Sequence, residues 1–560
     1  MEPTGFGMIS AILALPIIGA LLLLFLPPDN SKGIKWLTTI VTGVTFVASL
    51  ALLKQFSSDT FHFQMVEFVP WMSSLGIDYK VGIDGISIWL FMLTTLLTFL
   101  SSIFSFYVGK REKPYFLMIL LLETAMLGVF TSLNLIVFYS FFEVSLIPMA
   151  IMIYIWGGKN RNYAAVKFFI YTFAASIFML LGMIVMAKQH QQVTGVFTFD
   201  LIAWQSAVAS GSFWQNTGNL QMILFWSFAL AFIVKCPMFP FHTWLPDAHT
   251  EAPTAGSIIL AGVLLKMGTY GLLRFCLPLF PEAVQANTNI IMILAVIGIV
   301  YGAIVAAMQD DVKKLVAYSS VAHMGFVVYG IFSLNHVGIM GGAYQQLNHG
   351  ISTGALFLLI GLLYERTHTR AFSDMGGLKK QMPNFAALFL IVMLSSVGLP
   401  GLNGFPGEFM AMLGGFASAF NGSFGLGLWL PFIAGTGVIF AAVYLLWMFQ
   451  KVFYGPVTNP MIGRLKDLKK WEIALVGVFL IFVFWGGLYP NTFLKPMEKS
   501  VNAVRQMTLN PAGRRPAWDD QSYEIDEAGD LVQQERLVSP ANFYSVTTQD
   551  DLMRMDQEGL

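Results

Sequence analysis

The sequence is poor in charge. Asp, Glu, Lys and Arg make up 11% of its 560 residues, against about 25% in a typical soluble domain. A soluble enzyme, a nucleic-acid-binding protein and a disordered scaffold are excluded together. The few charges also balance, 32 basic against 32 acidic, so no net field draws a nucleic acid or an acidic partner. Cysteine is nearly missing. Cys236 and Cys276 both sit in apolar stretches, which excludes a disulfide framework and a cysteine-ligated cluster. No phosphate-cradling glycine loop and no nucleophile elbow is found. His242, Asp247, His249 and Glu251 gather in FHTWLPDAHTEAP, but their spacing matches no metal signature. No metal site is expected.

Apolar residues dominate instead. They form 56% of the chain and long uncharged runs such as Val296–Met308 and Ala474–Leu488. One bilayer crossing takes roughly twenty apolar residues, and about fourteen such segments follow one another here. The expected fold is an all-α polytopic membrane protein. The first segment, near 5–27, lacks a basic leader and is too long for a signal peptide, so it counts as a crossing. Short loops on one side carry Lys32, Lys35, Lys110, Arg111, Lys113, Lys159, Arg161, Lys313, Lys314, Arg366, Arg370, Lys379 and Lys380. Opposite loops offer only Lys54, Lys80, Lys188 and Arg274. The basic side is therefore expected in the cytoplasm, and an even number of crossings puts both termini on the outer, periplasmic side of a bacterial cytoplasmic membrane. Residues 491–560 are polar and acidic. They read either as a solvent-exposed tail or as a segment ordering along neighbouring subunits, with Trp518, Tyr523, Phe543 and Tyr544 as anchors.

An ionisable side chain at mid-bilayer costs about 2.5–3.5 kcal/mol on insertion scales, which makes each one a functional candidate. Glu143 lies inside YSFFEVSLIP, Lys235 ends the apolar run before CPMFP, and Lys266 is deep in ILAGVLLKMGTY. His323 shares a helix face with Ser319 and Ser320. His349 lies in a polar stripe with Gln345, Gln346, Ser352 and Thr353. Glu408 follows LPGLNGFPG, and Glu123 is a further candidate. Each has a structural alternative: a hydrogen-bonded packing histidine, a snorkelling lysine, or a carboxylate bonded to a neighbouring helix.

Backbone breaks add a second signal. Pro237 and Pro240 interrupt the seventh segment beside Lys235, while Pro400, Gly401, Gly404, Pro406 and Gly407 interrupt the twelfth beside Glu408. Proline removes a donor and kinks a helix, and irregular backbone at depth is tolerated only inside protein or beside a water-filled cavity. Two interrupted segments at matching places in two halves point to two inverted five-helix repeats around an ion pathway. The expected layout is a three-helix segment at 1–114, repeats at 115–288 and 289–450, a loop and last crossing at 451–490, and the tail at 491–560.

The run HTWLPDAHTEAPTAGSIILAGVLLK from His242 to Lys266 resembles the signature of the antiporter-like subunits of proton-pumping NADH:quinone oxidoreductase, respiratory complex I. Among these it is similar to the subunit-M type, subunit 4 in mitochondria. YSFFEVSLIPM, KKLVAYSSVAHMGFV, QQLNHGISTGALFLL and GLPGLNGFPGEF agree, and the resemblance covers roughly residues 1–490. It implies a proton-carrying chain that is not catalytic alone and binds no cofactor. FMN, iron–sulfur clusters and quinone would belong to partner subunits, and its neighbours would be other antiporter-like subunits. It further implies Glu143 and Lys235 as an input-side pair, Lys266 as central relay, His323 and His349 as connecting relays, and Glu408 as output acid. Subunits of multi-subunit Na⁺/H⁺ antiporters and of membrane-bound hydrogenase complexes are the alternatives. A reporter at residue 530 should be reached from outside, and one within 372–380 from the cytoplasm. The opposite pattern of labelling in intact cells would reverse the orientation.

Overall fold

The computed structural model describes residues 4–422, 427–457 and 459–509, and the backbone of 523–525 and 531–533. These belong to two units, Met1–Gly513 and Arg514–Leu560. Within the first unit, chain order runs α1 (Met8–Phe25), α2 (Ser31–Gln55), β1 (Gln64–Met72), β2 (Ile77–Ile83), α3 (Ser87–Phe104) and α4 (Glu112–Thr131). Next come α5 (Leu135–Val144) and α6 (Leu146–Trp156), which make one crossing-length rod, then α7 (Arg161–Thr194) and α8 (Leu201–Ala209). The first interrupted segment is α9 (Leu220–Lys235) with α10 (Trp244–Glu251), followed by α11 (Thr254–Leu279), α12 (Pro281–Ala307), α13 (Val312–Phe332) and α14 (His336–Thr367). The second is α15 (Pro383–Val397) with α16 (Gly404–Phe420), before α17 (Trp429–Phe453), α18 (Lys470–Leu488) and α19 (Asn491–Leu509). Among the described residues, 12 helices are long and apolar enough to cross a membrane. The two interrupted segments come in addition. In the second unit, β3 (Tyr523–Ile525) pairs antiparallel with β4 (Leu531–Gln533), Glu524 opposite Val532.

Polar caps written into the sequence start several helices. Asn134 accepts from the Ile136 amide at 3.1 Å, Asp311 from Lys313 at 2.7 Å, and Asn335 from Gly338 at 2.9 Å. The interruptions fall where the prolines and glycines demanded. α9 stops at Lys235, and the Trp244 indole returns to the Val234 carbonyl at 2.9 Å. α15 stops at Val397, where Gly398 and Gly401 take φ values of +84° and +91°, open to glycine at no steric cost. Asn403 then donates its amide to the Val483 carbonyl at 3.0 Å. Protein groups thus satisfy the backbone that the breaks free.

Burial sorts the helices. The most apolar window of α11 is 100% buried and those of α13 and α14 94%, against 33% for α2 and α18. Those three interior helices carry Lys266, His323 and His349. α11 is irregular, with π-turns at Leu260–Leu264 and Leu272–Cys276 on either side of Lys266. Nothing in the residue pattern announced them.

The polar stretch expected from residue 491 needs correction. Its first 19 residues form α19, whose Phe493, Met497, Val501 and Val504 are buried. Apolar residues spaced three or four apart make a helical stripe without ever making a run, so a search for runs passes over them. Trp89 donates to the Phe493 carbonyl at 3.0 Å, His336 meets Asn502 at 2.8 Å, and Gln285 donates to the Thr508 carbonyl at 2.8 Å. α19 therefore straps α3, α12 and α14 together. The expected anchors Trp518, Phe543 and Tyr544 lie outside the described residues. Two of the few cations on the sparse side are paired: Lys80 with Asp200, and Arg274 with Asp84 at 2.5 Å.

The strap rests on a bare backbone. A Cβ added at Gly85 would stand 1.9 Å from the Pro496 carbonyl oxygen. Gly85→Ala should push α19 off its seat and cost about 1–3 kcal/mol, the usual range for overpacking. Faster protease cleavage within 491–509 and a lower melting temperature are the expected readouts. An unchanged melting curve would show that the contact can shift freely.

Candidate functional site

Lys266 sits between the two π-turns with 0% exposure. Its ammonium group donates to the Ala261 carbonyl at 2.5 Å and meets His349 Nδ1 at 2.6 Å. Thr269, one turn along, donates to Gln346 Oε1 at 2.8 Å. His349 and Gln346 both belong to α14, so the pair of bonds clamps α11 to α14 at the level of the lysine.

The His349 ring lies 5.7 Å, centre to centre, from that of His323 on α13. His323 Nδ1 meets Glu408 Oε1 at 2.6 Å, and Gln345 Nε2 donates to the same oxygen at 2.9 Å. A Cβ at Gly407 would stand 2.4 Å from Gln345 Oε1, so the glycine beside Glu408 lets that glutamine reach the acid. Four of the six expected residues thus form one buried line, Lys266–His349–His323–Glu408. The Nε2 atoms of both histidines lack partners among the described residues. Buried nitrogens left this way are places where a water molecule completes the bonding.

Lys235 and Glu143 stand apart from that line. Lys235 is 1% exposed, and its Nζ has no hydrogen-bond partner among the described residues. It lies 4.7 Å from the centre of the Phe142 ring and 6.0 Å from that of Phe168. Those aromatic faces attract a cation without fixing it. Glu143, next to Phe142, is half-buried and is the carboxylate whose charge acts on Lys235. The two make no contact short enough for an ion pair. Lys235 approaches the axis through backbone: a Cβ at Gly268 would stand 2.6 Å from the Cys236 amide nitrogen.

Glu408 does not cap its own helix. α16 has no side-chain cap, and the contacts of Glu408 run to α13 and α14. Glu123 is wholly buried, with neither oxygen bonded among the described residues. Sequence reasoning passed over His249, fully buried and stacked on Phe357 with ring centres 4.6 Å apart. Its motif was tested only for metal spacing. Lys313, counted as a loop charge, is buried and donates to the Ala252 carbonyl at 2.5 Å. Among the described residues no group of three His, Cys, Asp or Glu could hold a metal ion.

The profile of the family described as NADH:quinone oxidoreductase/Mrp antiporter, TM, matches residues 132–433, a span that contains all six site residues. NADH-quinone oxidoreductase subunit M of Rickettsia prowazekii is 42% identical over 502 residues, covering 88% of this chain and 97% of the relative. This chain belongs to the subunit M family of NADH-quinone oxidoreductases. A chain of respiratory complex I from Thermus thermophilus with bound NADH superposes with a TM-score of 0.79 at 33% identity, covering 90% of this chain and 100% of that one. A chain of the Mrp complex from Dietzia shares the fold at a TM-score of 0.75 and 18% identity, over 90% of this chain and 98% of that one.

Because His323 and Gln345 hold the same oxygen of Glu408, their removals should not add. In the subunit M setting, His323→Ala with Gln345→Ala should depart from additivity by about 0.5–3 kcal/mol when quinone-reductase rates are compared in a double-mutant cycle. Strict additivity would mean that the two side chains act on Glu408 independently.

Proposed function

We propose that this chain is a non-redox, proton-translocating membrane subunit of NADH:quinone oxidoreductase. The observation that carries this reading is the buried line from Lys266 to Glu408, in which Lys266 meets His349 and His323 meets Glu408 at hydrogen-bond distance and the two imidazole rings stand 5.7 Å apart, centre to centre. Each group can both hold and hand on a proton. In this reading Glu143 and Lys235 are the input pair, Lys266 the central relay, His349 and His323 the connecting relays, and Glu408 the output acid. The charge of Glu143 stabilises the ammonium form of Lys235. Moving that carboxylate away frees a proton toward Lys266, and moving it back favours uptake.

The energies are compatible. Carrying one charge against the membrane potential takes about 2.3 kcal/mol per 100 mV, comparable to the gain or loss of one charge-assisted hydrogen bond, about 1.5–3 kcal/mol. FMN, iron–sulfur clusters and quinone would reside in partner subunits, with other antiporter-like subunits alongside this one. The 12 long helices and two interrupted segments would give fourteen crossings arranged as two inverted repeats. Both termini would then lie on the outer side.

In sealed vesicles Glu408→Asp should keep part of the pumping, while Glu408→Gln and Glu408→Ala should lose most of it, since neither can titrate. A Gln variant that pumped fully would remove Glu408 from the relay. Lys235→Ala should lower pumping and coupled quinone reduction, yet leave NADH oxidation by an artificial acceptor intact. Loss of that partial reaction in an assembled complex would give the chain a redox role.

A further inference from the structure

Two short connections meet at one membrane face. One joins α1 to α2 through residues 26–30, the other leads from α3 into α4 through residues 108–111. They are tied together: Lys113 Nζ donates to the carbonyls of Leu24 at 2.8 Å and Leu26 at 2.9 Å, and Lys35 pairs with Glu112 at 3.0 Å. Between them lies a cavity of about 260 Å³, lined by Pro28, Ser31, Gly109, Arg111, Lys113 and Pro114 together with Glu112. That is smaller than the roughly 300–1,000 Å³ pockets that take drug-sized ligands, and suits a headgroup.

The charges around it are not closed internally. The two connections and the turns beside them carry Lys32, Lys35, Lys110, Arg111 and Lys113 against Asp29 and Glu112, and Glu112 is already paired. The Arg111 side chain is exposed and makes no ion pair among the described residues. Immediately below, toward the membrane interior, the surface turns apolar and aromatic: Phe25 is 87% and Trp36 58% exposed, and Leu21, Leu22 and Leu24 are exposed beside them. A cationic recess above an apolar wall is complementary to an anionic headgroup above its acyl chains.

We propose that this recess binds the phosphate headgroup of an anionic phospholipid, with Arg111 as its main contact and the α1–α2 surface as the bed for its chains. The inference is independent of proton transport. Because Arg111 is surface-exposed and a Cβ at Gly109 would meet no atom within 4 Å, both positions accept substitution without disturbing the fold.

The test uses the whole assembled complex in phosphatidylcholine vesicles doped with a photoactivatable phosphatidylglycerol, with crosslinked peptides mapped by mass spectrometry. Crosslinks should fall in residues 26–31 and 108–114. Arg111→Ser should reduce them about fivefold, the effect of one interfacial cation, and Gly109→Glu should reduce them at least as much. A photoactivatable phosphatidylcholine should label these residues weakly. Equal labelling by both lipids, or labelling indifferent to both substitutions, would overturn the proposal. So would complete competition by inorganic phosphate, which would make the recess an ion site and not a lipid site.

Discussion

Lys266 has two hydrogen bonds and no carboxylate partner among the described residues. A lysine wholly removed from water is costly to keep charged, and much of the interior answers that cost. The π-turn that precedes it brings the Ala261 carbonyl to the ammonium group, a bond to the residue five positions back that a regular α-helix would not present in the same way. α14 supplies His349 and, one turn away, Gln346 for Thr269. From His349 the line goes on to His323 and Glu408, so the acid at its end is joined to the lysine through two imidazoles. Under the proposed relay that separation matters, because a direct Lys–Glu pair would hold its proton in place.

Charge is treated differently at the outer edges. Lys80 with Asp200, Arg274 with Asp84, and Arg366 with Glu472 at 2.5 Å are closed pairs. Buried pairs of this kind fix helices relative to one another, and breaking one is more costly than never having made it. Lys235 and Glu143 are left open, with aromatic rings in place of hydrogen-bond partners around the lysine. The contrast is between charges closed in pairs and a lysine left without one.

Much of this could be read from the residues. Scarce charge and long apolar runs announced the crossings, and prolines 237, 240, 400 and 406 placed the two interruptions. Glu143, Lys235, Lys266, His323, His349 and Glu408 stood out because an ionisable group inside an apolar run needs a reason. What escaped was whatever depends on tertiary contact. The π-turns of α11, at Leu260–Leu264 and Leu272–Cys276, have no signature in the residue pattern. α19 was hidden because its four buried apolar residues are interleaved with Lys495, Glu498, Lys499 and Arg505. His249 stood in a motif weighed only for metal spacing and Lys313 counted as a loop charge, yet both are buried. Ion pairs between residues far apart in sequence, such as Lys80 with Asp200, carry no local signature.

If the buried line is a single conduit, its weakest join is the gap between the two imidazole rings, 5.7 Å centre to centre. Replacing His349 with Leu keeps the bulk of the ring, removes both of its nitrogens, and leaves Lys235, Lys266 and Glu408 in place. The direct measurement is the number of protons taken across the membrane per NADH oxidised by the purified complex in sealed vesicles, with dye uptake and NADH absorbance followed together. The relay account predicts a lower ratio in the variant with artificial-acceptor activity unchanged. A wild-type ratio from an assembled His349→Leu complex would contradict it.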